Sequence, residues 1–171
     1  MSSIFVFPGQ GAQSVGMGKD LYENNAAARA VFDEVDNALN EKLSDIIFNG
    51  PMEDLTLTAN VQPAIMATSI AMLRASGQEL PEYVAGHSLG EYTALCAAGA
   101  LSVGDTAKLL RVRGNAMQTA VPVGHGLTAV ILGMDIDTVR QICDTAGCDV
   151  ANDNSMGQVV ISGEKSAVEC A

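Results

Sequence analysis

Residues 83 to 95 read YVAGHSLGEYTAL. An apolar run, Tyr83-Val84-Ala85, leads into Gly86-x-Ser88-x-Gly90, and a stretch of small and apolar residues follows. That order predicts a buried strand, a sharp turn and a helix. On such a turn the residue at the tip is crowded, and flanking side chains larger than Gly would collide. The tip here is Ser88, at the start of the next helix. A serine there is read in one of two ways. It is a nucleophile beside an N–H and the positive end of a helix dipole, or it is a helix N-cap.

The surrounding pattern extends the same architecture. The run SIFVF at 3 to 7 ends at Pro8-Gly9 and predicts another buried strand of a parallel sheet. Helical spacing is expected over 20–39, over 41–48 with a stop at Gly50-Pro51, and over 58–76, with Pro63 in the first turn of that last helix. A further helix starts at Ser102 or Asp105 and carries Lys108, Leu109, Arg113 and Met117. Beyond VPVGHG the order becomes β-α-β-β-α. A strand is expected at 127–132, a helix at 136–146, strands at 148–151 and 158–162 around the turn NDNSMG, and a helix from Glu164. A ferredoxin-like unit has one more strand. The expected fold class is therefore α/β: a hydrolase-like parallel-sheet core with the G-x-S-x-G turn over 1–124, and an incomplete ferredoxin-like subdomain over 125–171.

Composition limits the function. The chain has 171 residues, 48% hydrophobic and 4% aromatic, so its core is aliphatic. A formal net charge of −11 argues against nucleic acid or an anionic membrane surface as partner. Lys108, Arg111 and Arg113 are the densest basic cluster. Cys96, Cys143, Cys148 and Cys170 form no C-x-x-C pair and read as reduced thiols of a cytoplasmic protein, with no metal site. No signal peptide and no membrane span is expected.

Gly9-Gln10-Gly11 follows the first strand but fails as a dinucleotide fingerprint, since the third Gly position is Ser14. No G-K-[ST] occurs, so it is not a P-loop. Ligands gather at the carboxyl ends of parallel strands, where the two loops converge. The N–H of Gln10 can then face that of Leu89 as the second donor of an oxyanion hole, or else the glycines serve only the geometry of a turn. Arg113 sits among Leu109, Leu110, Val112, Ala116 and Met117 and offers a planar fork to a carboxylate, or else is a solvated arginine. His87 adjoins Ser88 but points elsewhere on a sharp turn, and is expected under the sheet. His125 reads as a surface loop residue. Neither is expected to act as base for Ser88.

FVFPGQGAQSVGMG at 5–18, NVQPAIMATSIAM at 60–72, AGHSLGEYTAL at 85–95, RVRGNAMQ at 111–118 and NDNSMGQVVISG at 152–163 occur in that order. Together they resemble the malonyl-CoA:acyl carrier protein transacylase family and the acyltransferase domains of fatty-acid and polyketide synthases. The resemblance implies a malonyl transfer in fatty-acid biosynthesis. Ser88 takes the malonyl group from malonyl-CoA as an ester and passes it to the phosphopantetheine thiol of acyl carrier protein. It implies oxyanion donors at Gln10 and Leu89, a carboxylate clamp at Arg113, and acyl-pocket positions at Gln62 and Met117. It implies no cofactor beyond the phosphopantetheine that the partner carries, and a monomer when full length. The small subdomain is expected as the other wall of the cleft. Family members are longer, and the resemblance places their catalytic His past residue 171. On this reading the chain is the N-terminal part of a transacylase, inactive alone, and its start at Met1 favours a free-standing parent. Asp153 departs from a family position that is usually apolar. Two alternatives stand beside this: a related serine hydrolase, and an inactive carrier-protein-binding fragment.

Overall fold

The computed structural model describes residues 3–121 and 124–171, in two compact units, Met1–Gln118 and Thr119–Ala171. Pro122 and Val123, within the expected boundary, lie outside the described residues. No described helix is long and apolar enough to cross a membrane.

In the first unit, β1 (Ile4–Phe7) leads into a loop and then α1 (Lys19–Asn24), α2 (Ala26–Leu39), α3 (Leu43–Asn49), α4 (Met52–Thr56) and α5 (Thr58–Ser76). β2 (Tyr83–Gly86), α6 (Leu89–Ala97) and α7 (Val103–Ala120) follow. β1 and β2 pair in parallel, Ile4 opposite Tyr83 and Phe7 opposite Gly86. That register brings the carboxyl ends of both strands level, so the loop after Phe7 and the turn after Gly86 leave the sheet together.

The core of this unit is helical. α5 is apolar nearly all round because it is buried nearly all round, from Val61 to Ala71. α2 packs along it through Ala28, Val31, Phe32 and Val35. Phe32 meets Phe48 edge-on at 5.0 Å between ring centroids, and Tyr22 at 5.9 Å. Each such large side chain removed from water contributes about 1.5–3 kcal/mol. Asp36 is buried too, where its carboxylate accepts the N–H and the hydroxyl of Ser44 and caps α3 from outside.

Several expectations need correction. The two strands are not buried: α6 covers one face of their sheet, but Ile4, Val6 and Tyr83 on the other face are open, Val6 by 69%. The helix expected over 20–39 is two helices. Asn25 breaks it, because its side chain accepts from the N–H groups of Ala27 and Ala28 and starts α2 afresh. α4 was not anticipated. Pro63 is the sixth residue of α5 rather than part of its first turn, so the carbonyl of Ala59 loses its helical donor. That carbonyl accepts from Arg111 instead, at 2.7 Å.

The second unit runs β3 (Gly126–Leu132), α8 (Ile136–Ala146), β4 (Asp149–Ser155), β5 (Gln158–Glu164) and α9 (Lys165–Cys170), and its three strands form an antiparallel sheet of order β3-β5-β4 over a core of its own. That core holds Val139, Cys143, Cys148, Val159, Ile161 and Val168. NDNSMG is not a turn throughout. Asn152 to Ser155 continue β4 through two register shifts, and only Met156-Gly157 turn, with Gly157 at φ 75°. A two-residue hairpin turn of this kind needs positive φ, which Gly supplies.

Candidate active site

Ser88 occupies the N-cap position of α6 at φ 56° and ψ −116°, a conformation that a non-glycine residue holds only under constraint. The constraint is backbone on backbone. A Cβ on Gly86 would lie 1.9 Å from the carbonyl oxygen of Gly90, and one on Gly90 would lie 2.4 Å from that of Phe7. No side chain fits at either position, and the tip between them is forced outward. Ser88 is exposed and Leu89 behind it is buried. The Ser88 side chain makes no capping hydrogen bond, so its hydroxyl is not spent on the helix.

That hydroxyl accepts instead from Nη2 of Arg113 at 3.0 Å. Nη1 of the same guanidinium donates to Oε1 of Gln62 at 2.5 Å, and Nε2 of Gln62 donates to Sδ of Met117 at 3.4 Å. Gln62 is 1% exposed, so its amide is a fixed acceptor, whereas Arg113 is half-buried and Met117 exposed. Tyr92 underlies the cation, with the Arg113 Cζ 5.9 Å from its ring centroid. Four of the six expected site residues, Ser88, Arg113, Gln62 and Met117, therefore form one chain of contacts. Tyr92 was missed; its signal was its place in the first turn of the helix that follows Ser88.

The loop after β1 lies on the serine turn. A Cβ on Gly9 would stand 3.2 Å from the carbonyl oxygen of His87, and one on Gly90 would stand 2.9 Å from that of Pro8. Gln10 follows in that loop and is exposed. Leu89 is the first residue of α6, so its N–H has no acceptor within the helix.

His87 is exposed rather than tucked under the sheet. Its N–H donates to Phe7 at 3.4 Å, and its Nδ1 lies against Gly9. His125 is exposed, and its carbonyl accepts from Lys165. The basic cluster also reads differently in place. Arg111 is taken by Ala59, Asn60 and Glu41, and Arg113 by Gln62 and Ser88, so only Lys108 of the three faces solvent without such ties. The buried thiols are poor rivals to Ser88: burial pushes Cys143 up to about 11 and raises Cys96 as well.

Residues 4–170 match the model of the acyl transferase domain family. The chain belongs to that family. An acyl transferase domain needs an activated nucleophile and a place for the acyl group, and the Ser88–Arg113–Gln62 contacts provide candidates for both. The chain is 51% identical over 179 residues to the malonyl CoA-acyl carrier protein transacylase of Bacillus subtilis, covering all of this chain and 56% of that protein. It superposes with a TM-score of 0.92 on the acyl-carrier-protein-S-malonyltransferase of Bartonella henselae, at 57% identity, covering 99% of this chain and 57% of the other. A type II PKS acyl-carrier protein in complex with its malonyl-transacylase gives a TM-score of 0.92 at 40% identity, covering 99% of this chain and 57% of that one. This acyl transferase chain thus spans about half the length of its relatives.

Proposed function

We propose that this chain supplies the nucleophile, oxyanion donors and carboxylate clamp of a malonyl-CoA:acyl carrier protein transacylase. The observation that carries the reading is the 3.0 Å contact between the Ser88 hydroxyl, free of capping duty, and Arg113. Ser88 Oγ attacks the thioester carbonyl of malonyl-CoA. The C–S bond breaks, CoA leaves as its thiol, and the malonyl group stays on Ser88 as an ester. The phosphopantetheine thiol of acyl carrier protein then attacks that ester and restores the serine. The N–H groups of Gln10 and Leu89 receive the oxyanion of each tetrahedral intermediate. The free malonyl carboxylate takes the fork of Arg113, with Gln62 keeping the guanidinium in plane and Met117 lining the acyl chain.

The proton of Ser88 needs an acceptor. Among the described residues its hydroxyl meets only a guanidinium, which has no lone pair to offer. The base is therefore a group that these residues do not place at Ser88. We further propose that the Thr119–Ala171 unit is a ferredoxin-like fold lacking its last strand; the sheet order β3-β5-β4 supports this. The likeness to a malonyl-transacylase complexed with its acyl-carrier protein supports that class of partner.

The test uses the full-length protein that carries this chain. Intact mass after incubation with malonyl-CoA is expected to show one malonyl group, on Ser88. Arg113→Ala is expected to cut the preference for malonyl over acetyl thioester about a hundredfold. A serine hydrolase would instead release free acid and keep its preference in that variant.

A further inference from the structure

α7 carries two rows of side chains with separate tasks. Leu110, Arg113 and Met117 form one row, and its last two members meet Gln62. Ala107, Arg111, Gly114 and Gln118 form the neighbouring row, spaced four, three and four, and its last three members lie on the first turn of α5. A Cβ on Gly114 would stand 2.6 Å from the Thr58 carbonyl oxygen and 2.7 Å from the Ala59 Cα, so the helices touch backbone to backbone there. Oε1 of Gln118 accepts the N–H of Ala59 at 3.2 Å. Nη1 of Arg111 donates to the Ala59 carbonyl at 2.7 Å and to Oδ1 of Asn60 at 2.6 Å. The Ala59 carbonyl is the one that Pro63 leaves without a helical donor.

We propose that Arg111 is a positioning residue: it replaces the helical bond that Pro63 removes at Ala59, and so fixes the register of α7 on α5 and with it the Arg113–Gln62 pair. The inference rests on the reading of Arg113 as the carboxylate clamp. Gln62 directly precedes Pro63, and Arg113 follows Arg111 by two residues, so both members of the clamp are anchored within one helical turn of this junction. A slip of one residue along a helix is about 1.5 Å, enough to break a hydrogen bond. The guanidinium is suited to the task because it reaches two acceptors on α5 with one nitrogen and Glu41 with another. It does so while leaving its own Nε buried without a partner. The position is thus organised around the two terminal nitrogens.

The test is a set of variants of the full-length protein: Arg111→Met, Arg111→Lys, each of these combined with Pro63→Ala, and Arg113→Ala. For each, kcat and KM are measured with malonyl and with acetyl thioester. Arg111→Met is expected to lower kcat/KM for malonyl by about tenfold to a hundredfold, chiefly through KM, and to leave acetyl within about twofold. Adding Pro63→Ala returns a donor to Ala59 and is expected to recover most of that loss. Arg111→Lys keeps the charge with a single donor head, and is expected to show a smaller loss with the same recovery; it carries the test where Arg111→Met folds poorly. Equal losses for malonyl and acetyl, or no recovery on adding Pro63→Ala, overturn the proposal. If Arg113→Ala erases the preference while both Arg111 variants keep it, the positioning role is overturned and the clamp stands. If Arg113→Ala keeps the preference, both fall.

Discussion

Ser88 and Asn25 each stand immediately before the first turn of a helix, and they use that place in opposite ways. Asn25 is extended, at φ −132° and ψ 118°, and its Oδ1 accepts from Ala27 at 2.9 Å and from Ala28 at 3.0 Å. Asp135 does the same for α8, with Oδ1 on the Thr138 N–H and Oδ2 on its hydroxyl. Ser88 is turned to φ 56° and caps nothing. A capping residue is held by its own side chain; the serine is held by the backbone around it, so its side chain is left for chemistry. Constraint supplied from outside a residue frees that residue's functional group.

The largest test of that contrast lies beside Ser88 rather than on it. Gly86→Ala would set a Cβ 1.9 Å from the Gly90 carbonyl oxygen. Equilibrium unfolding is expected to show a loss above about 4 kcal/mol, and a loss below about 1 kcal/mol would mean that the turn is not built on this contact. A matched pair of variants comes next. Asn25→Ala is expected to cost about 1 kcal/mol as a lost cap, and Ser88→Ala less than about 0.5 kcal/mol while abolishing any acyl adduct. Equal costs would restore Ser88 to the class of ordinary caps. The smallest effect concerns acid. The Thr138 hydroxyl, and after it the Thr138 N–H, hold the carboxyl of Asp135 below its usual 3.8. A carboxyl lowered by folding stabilises the fold above its unfolded value, and that contribution is lost as pH falls through the folded value. The stability gap between the parent and Asp135→Asn is therefore expected to shrink below pH 3.8, whereas the gap for Asn25→Ala stays level. A constant Asp135 gap would show that its charge is irrelevant to the cap.

The sequence made the serine turn legible because glycine crowding leaves a local mark, Gly86 and Gly90 around Ser88. α5 and α8 were legible for a similar reason: their apolar spacing and their ends fall where the structure has them, 58–76 and 136–146. The break at Asn25 was hidden because α1 and α2 continue one apolar stripe through Leu21, Ala28, Val31 and Phe32. The Asn before three alanines was the available signal. β4 was legible in its first half, expected at 148–151, but its continuation was hidden because Asn152, Asp153 and Asn154 carry turn propensity and were overridden by pairing with β5. The apolar runs of β1 and β2 predicted burial because such runs record what a strand is suited to meet, not what covers it. At the site, Arg113 and Gln62 could be named from family likeness. Arg111 could not, since its role depends on a carbonyl freed 52 residues away in the chain.

That open sheet face has a further consequence, in colloidal terms. Ile4, Val6 and Tyr83 form an adhesive strip on a polypeptide with a formal net charge of −11. At neutral pH, repulsion between like-charged copies opposes their association. As carboxylates take up protons near about pH 4, that repulsion fades and apolar contact through the strip is less opposed. Charges scattered over the whole surface thus set the pH at which these three side chains, like the other exposed apolar groups, are free to meet.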